Sequence, residues 1–189
     1  MKLGKTLYVT NRRAWRSWLS RHHKNATEIW LISFKKHTKK PSIPYNDAVE
    51  EALAYGWIDS IEKSIDKDSY AQRYTPRRPG SNWSEMNKER ARRLIEQGKM
   101  TRAGLAAMED APKAKSRVSR SRDVIPSDIL KRLREDKQTW QNFQRFPSSY
   151  KRIRVGWIDA ARMRPVEFEK RLRYFLKMTE KNKRFGMVQ

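Results

Sequence analysis

Apolar residues recur at three- and four-residue spacing along most of the chain, interrupted by two short stretches of other period. Asn11 is placed to cap a helix whose apolar face is Ala14, Trp15, Trp18, Leu19 and His22. The run EIWLISFK, residues 28–35, is short, β-branched and aromatic, and reads as a strand. Trp30, Ile32 and Phe34 share one face of it; Ile29, Leu31 and Ser33 share the other, so a central position in the sheet is expected. After the proline-punctuated connector HTKKPSIP, YNDAVEEALAYG reads as a helix ended by Gly56. WIDSIEKSI, residues 57–65, alternates with period two, and YAQRYT, residues 70–75, returns as its partner. A hairpin turning at Lys67–Asp68 pairs Ile65 with Tyr70, Ile61 with Tyr74 and Glu62 with Arg73.

Beyond Arg73 the pattern becomes helical again. Ser84 is placed to cap a helix running to Gln97 and closed by Gly98. Thr101 caps the next, with Met100 and Leu105 spaced as a hydrophobic staple. Residues 111–124 have no apolar period and read as a basic linker. Ser127 is expected to cap DILKRLRE, and a short aromatic segment, WQNFQRF, follows. Pro147 breaks the chain and Ser148 is expected to cap a helix aligning Tyr150, Ile153, Trp157, Ile158 and Ala161. Pro165 starts a last helix with the face Phe168, Leu172, Phe175, Leu176 and Thr179. The fold class is therefore α+β: a small antiparallel sheet of about three strands packed with helices, followed by a helical C-terminal module. The organisation is an α+β domain over residues 1–110, the linker 111–124, and the helical module 125–189. The tetrapeptide GWID occurs at Gly56 and again at Gly156, but opens a strand in one place and sits in a helical pattern in the other, so it is not a repeat.

Composition changes this picture mainly through charge. The net charge is +23, and the excess is spread: +6 over residues 1–60, +7 over 61–125 and +10 over 126–189. A folded body this basic attracts polyanions, such as nucleic acid, an anionic membrane surface or phosphorylated ligands. Seven tryptophans among 37% hydrophobic residues supply a core. The absence of cysteine excludes disulfides, thiolate nucleophiles and iron–sulfur clusters. No apolar run reaches membrane-spanning length, and the first residues lack the apolar stretch of a signal peptide, so a cytoplasmic location is expected.

Candidate chemistry gathers around RYTPRRPGSNWS, residues 73–84. Arg73, Arg77 and Arg78 approach from the loop, Ser81 and Ser84 add hydroxyls, and Trp83, Asn87, Arg90 and Leu94 fall on one helical stripe. Asn87 and Arg90 lie just behind a helix N-terminus, where free N–H groups and the dipole favour an anion. Guanidinium forks match phosphate or carboxylate. On the strand after Gly56, Trp57, Asp59, Ile61, Lys63 and Ile65 alternate onto one face, so the charges of Asp59 and Lys63 need partners or a ligand. Those two residues are also the first candidates for acid–base chemistry. In the linker, Lys113, Lys115, Arg117, Arg120 and Arg122 are candidate nucleic-acid contacts. His22, His23 and His37 have no metal-ligand spacing, and neither a nucleophile elbow nor a glycine-rich phosphate loop occurs. No cofactor, metal or catalytic residue is therefore expected.

Residues 51–105 also carry a pattern of whole motifs. EAL–x–x–GWID is followed by R–x–TPR–x–P–x–S–x–WS–x–x–N and then by G–x–M–x–x–AGL. The residues are Gly56, Trp57, Ile58, Asp59, Arg73, Thr75, Pro76, Arg77, Pro79, Ser81, Trp83, Ser84, Asn87, Gly98, Met100, Ala103, Gly104 and Leu105. This pattern resembles the bacteriocin-protection family named for YdeI and OmpD-associated proteins. Residues 125–185, centred on WIDAARMRPVEFEKRL, look like that family's helical module. Its usual K–R–x–E–T–R–x–R–R stretch is replaced here by Arg162–Met163–Arg164–Pro165. The resemblance implies protection from antimicrobial peptides and links to envelope stress, and carries over no catalytic residue.

Three readings stand. The first is a non-enzymatic protein binding an anionic ligand or nucleic acid. The second is an enzyme on a phosphorylated or carboxylated small molecule, using Asp59 or Lys63 for proton transfer. The third is a module that binds a protein partner through the C-terminal helices.

Overall fold

The computed structural model describes residues 3–110 and 125–186. These form two compact units. The first holds the described residues up to Asn82 and those from Arg90 to residue 110; the second holds Trp83–Glu89 and the described residues from 125 onward. The linker arginines and lysines named above lie outside the described residues.

The first unit is built on a sheet. Its strands are β1 (Thr6–Tyr8), β2 (Ile29–Phe34), β3 (Trp57–Ser64) and β4 (Ser69–Pro76), in the order β1-β2-β4-β3 among the described residues. β2 is central, as its two apolar faces predict. The sheet is mixed rather than antiparallel, because β1 pairs in parallel with β2. A three-residue strand, TLY, is too short to declare a period of two, which is why the pattern missed it. Helix α1 (Arg12–His22) makes the crossover that parallel pairing requires. Asn11 accepts from the Ala14 N–H and so caps it as expected.

Tryptophans hold α1, α2 (Tyr45–Ala54) and the sheet together. Trp15, Trp30 and Trp57 are fully buried. Each indole N–H finds an acceptor: the Ala48 carbonyl at 3.0 Å, the Glu28 carboxylate at 3.2 Å and the His23 carbonyl at 3.1 Å. The close of α2 explains much of the central motif. Gly56 has φ 75°, which ends the helix and turns the chain into β3. Thr101, the cap of helix α4 (Arg102–Glu109), donates from its hydroxyl and its backbone N–H to the Ala54 carbonyl, at 2.6 and 3.1 Å. Gly104 lies so close to that carbonyl that a Cβ there would meet it at 2.4 Å.

The hairpin register differs from expectation. Ser64 opposes Tyr70, Lys63 opposes Ala71 and Glu62 opposes Gln72, while Asp59 opposes Tyr74, so an irregularity lies between Asp59 and Glu62. An extra residue in one strand breaks the alternation of faces. Asp59 is consequently half-buried and Lys63 exposed, not neighbours on one apolar face.

Helix α3 (Glu85–Glu96) begins in the second unit and continues in the first. Ser84 accepts from the Asn87 N–H at 3.2 Å, the expected cap, and Gly98 has φ 64° after the helix end. The rest of the second unit is helical: α5 (Ser127–Arg134), α6 (Lys137–Arg145), α7 (Ser148–Asp159) and α8 (Pro165–Glu180). Ile129, Leu133, Phe143, Tyr150, Ile158, Leu172 and Phe175 form its core. The aromatic segment WQNFQRF lies within α6, which Asp136 caps through the Thr139 N–H at 2.6 Å. Ser127 and Ser148 are not caps. Pro126 and Pro147 take the cap positions in extended conformation, and each serine is the first helical residue. The second GWID ends α7.

Candidate functional site

The start of β3, the end of β4 and the neighbouring helices of the first unit set one carboxylate, Asp59, among two tyrosines and two arginines. The Tyr45 hydroxyl, at the first residue of α2, donates to Asp59 Oδ2 at 2.6 Å. Burial and then this bond to a carboxylate push the Tyr45 phenol well above its ordinary range. Tyr74, fully buried opposite Asp59 in the hairpin, is also raised, first by burial and then by the charge of Asp59. Beside them lies a cavity of about 20 Å³ lined in part by Ser33, Tyr45, Tyr70, Gln72 and Tyr74, with room for roughly one water molecule.

Both arginines of this cluster are desolvated. Arg90 is only 4% exposed and donates to Asn46 Oδ1 at 2.7 Å. Burial lowers its pKa, opposed by the nearby Tyr45, Glu50 and Asp59. Arg77 is half-buried; its backbone N–H donates to the Gly56 carbonyl at 2.9 Å and its guanidinium to the Asn82 carbonyl at 2.9 Å. Burial lowers its pKa too, opposed by Asp59. For both groups the loss of hydration outweighs the attraction of the carboxylate they share.

Of the residues singled out from the sequence, Asp59, Arg77 and Arg90 thus interact electrostatically. Arg73 is engaged elsewhere, with its Nε donating to Glu28 Oε2 at 2.7 Å. Arg78 is exposed and Ser81 half-buried in a turn held by the Ser81 N–H on the Arg78 carbonyl. Trp83, Ser84 and Asn87 belong to the second unit, where Trp83 is buried and the other two form the helix cap. Tyr45, Asn46 and Tyr74 were not singled out. Tyr74 was expected opposite Ile61 and meets Asp59 only through the irregular register, while Tyr45 and Asn46 carry no periodic signal.

The acidic face of α2 is separately neutralised. Arg12 reaches Asp47, Glu50 and Glu51 at 3.2, 3.0 and 2.9 Å, Arg16 reaches Glu51 at 2.9 Å, and Arg93 reaches Glu50 at 3.1 Å. Among the described residues no group of three or more His, Asp or Glu could hold a metal, and no helix is long and apolar enough to cross a membrane.

No curated protein and no solved structure matches the chain. Two family models do. Residues 7–107 match a domain of unknown function, DUF8412, and residues 124–182 match the family described as Bacteriocin-protection, YdeI or OmpD-Associated. The resemblance drawn from the sequence is borne out over the C-terminal helices, while the central motifs lie within the first match. With more than half its length under that first match, the chain belongs to the DUF8412 family and carries a bacteriocin-protection, YdeI/OmpD-associated domain in its C-terminal part.

Proposed function

We propose that the protein is a non-enzymatic anion-binding protein. Its ligand carries phosphate or carboxylate groups and engages Arg77 and Arg90, with Asp59 and Tyr45 organising them. The observation that carries this reading is the pair of desolvated guanidiniums, Arg77 and Arg90, that interact with Asp59, with Glu50 also near Arg90. A guanidinium stripped of water gains from an incoming anion that replaces its lost hydration, and its fork geometry suits the anion's oxygens. The overall charge of +23 steers such ligands toward the surface. Nucleic acid is the polymeric form of the same chemistry. We read such binding as serving protection from bacteriocins, the role named in the description of the C-terminal family.

The test is titration of the full chain with pyrophosphate, citrate, duplex DNA and single-stranded RNA at increasing salt. Binding that weakens steeply with salt is expected for the polymers. Arg90→Lys, which keeps the charge but removes the fork, and Arg77→Gln should each weaken binding about tenfold while the fold, followed by circular dichroism, persists. Failure of all four ligands to bind, or binding indifferent to both substitutions, refutes the reading. Turnover of a bound anion with a bell-shaped pH profile, lost in Asp59→Asn, replaces it with an enzymatic one.

A further inference from the structure

Arg154, on helix α7, is only 5% exposed, and its Nε and Nη2 are buried with no hydrogen-bond partner. Nearby Arg171 differs: its Nε reaches Glu167 at 2.8 Å and its Nη1 the Trp157 carbonyl at 2.7 Å. Around Arg154 stand aromatic rings instead, those of Phe185, Tyr150 and Trp157, with centroids 4.5, 5.6 and 5.9 Å from its guanidinium carbon. Rings attract a guanidinium electrostatically without accepting its in-plane N–H bonds in the way an oxygen does. Cation–π contact therefore leaves unmet the edge formed by Nε and Nη2, the edge that pairs side-on with a carboxylate. A buried donor without a partner is expensive to maintain.

The covering segment is Phe185–Gly186. Phe185 packs edge-on against Tyr150, Trp157 and Tyr174. Gly186, at φ 75°, lies against the guanidinium so closely that a Cβ there would meet Nη2 at 2.4 Å.

We propose that the Nε–Nη2 edge of Arg154 is a binding site for the carboxylate of a small acid with an apolar body, and that Phe185–Gly186 is the strap that moves aside to admit it. One guanidinium offers one charge and two parallel donors, which a monoanionic carboxylate matches. A doubly charged phosphate would be stripped of water among aromatic walls with only half its charge met. The walls favour an apolar body on the acid.

The experiment follows the Arg154 Nε–Hε signal of the full chain by ¹H–¹⁵N NMR, assigned by its loss in Arg154→Lys. Titration with 3-phenylpropanoate should move that proton downfield, and the neutral 3-phenylpropanamide should not. Arg154→Met, which keeps apolar bulk, should weaken binding of the acid at least about tenfold, with a melting temperature at or above that of the parent chain. Arg154→Lys, which keeps charge but loses the edge, should weaken it as well, and provides the reading if the methionine variant does not fold. Gly186→Ala, which forces the strap off the guanidinium, should tighten binding. An unmoved signal, equal binding of the amide, or affinity unaltered in both Arg154 variants overturns the site. Affinity lost in Arg90→Lys but not in Arg154→Lys assigns the acid to the Asp59 cluster and overturns it too. Unchanged or weaker binding in Gly186→Ala overturns the strap.

Discussion

Asp59→Asn separates folding from binding, because the two should respond with opposite sign. The substitution is isosteric and can still accept from the Tyr45 hydroxyl, so the local geometry has little reason to change. What disappears is the negative charge that faces Arg77 and Arg90. Close unit charges in an effective dielectric of about 20 interact by up to roughly 4 kcal/mol. Asp59 is half-buried, and screening by solvent reduces this to about 1 kcal/mol per pair. Stability should therefore fall by about 1–2 kcal/mol, measured by urea unfolding followed through tryptophan fluorescence.

Binding should move the other way. Asp59 repels any anion that approaches the two arginines, by a similar ~1 kcal/mol, so its neutralisation should tighten pyrophosphate binding about fivefold. Calorimetric titration of the parent and variant chains at the same low salt measures this directly. A third readout checks the electrostatics alone. Burial still raises the Tyr45 phenol in the variant, but the carboxylate's contribution is gone, so the phenol should ionise at lower pH in an ultraviolet titration. Weaker or unchanged anion binding in Asp59→Asn, alongside the expected loss of stability, would refute the idea that the ligand sits against Arg77 and Arg90. Asp59 would then be a structural counter-ion only.

Other expectations concern the frame around the two sites. Gly104→Ala should destabilise the first unit by about 2 kcal/mol, since the added methyl meets the Ala54 carbonyl and the Met100 sulfur inside contact distance; thermal unfolding measures it. Asn142→Ala should cost about 2 kcal/mol in the second unit. Its buried amide donates to the Thr179 and Glu180 carbonyls at the end of α8, at 3.0 Å each, and urea unfolding reads the loss. Arg162 hydrogen-bonds Asp128 and holds its carboxyl below the ordinary value of 3.8. A folded-state value below the unfolded one contributes stability that is full above 3.8 and is lost as pH falls through the lower value. Arg162→Ala should thus narrow the stability difference between about pH 6 and about pH 3, by at most a few tenths of a kcal/mol because the pair is exposed. Denaturant unfolding at the two pH values tests it.

Elements whose signal is local were legible in the sequence. Caps such as Asn11 and Thr101, terminators such as Gly56 and Gly98, and the two-faced apolar pattern of β2 each encode their structure within a few residues. What the pattern hid depends on partners distant in the chain. β1 is a strand only because β2 lies beside it, and three residues cannot announce that. The irregularity between Asp59 and Glu62 shifts the hairpin by one place and cannot be seen in an alternation that continues unbroken through it. The same limit governed the site. Asp59, Arg77 and Arg90 were visible as polar groups on partly apolar elements, but Tyr45 and Asn46 enter only because the fold brings the first turn of α2 to them.

The motif residues divide by what folding gains from them. Gly56 and Gly104 allow the end of α2 to turn and to be approached closely; Trp57 fills the core and satisfies a carbonyl; Ser84 caps a helix. Each is accounted for without a ligand. Asp59 and Arg77 are not of that kind. Arg77 loses hydration by its burial, and the carboxylate that opposes this loss does not cancel it. Replacing a buried ion together with its partner by hydrophobic groups is often neutral or favourable, whereas removing one partner alone is costly. Arg90, outside the motif, has the same imbalance more deeply buried, and Arg154 repeats it independently in the second unit. In both units, then, guanidiniums are held where burial strips their hydration. A desolvated guanidinium grips an oxyanion well, and an oxyanion ligand is what both proposals require of these residues.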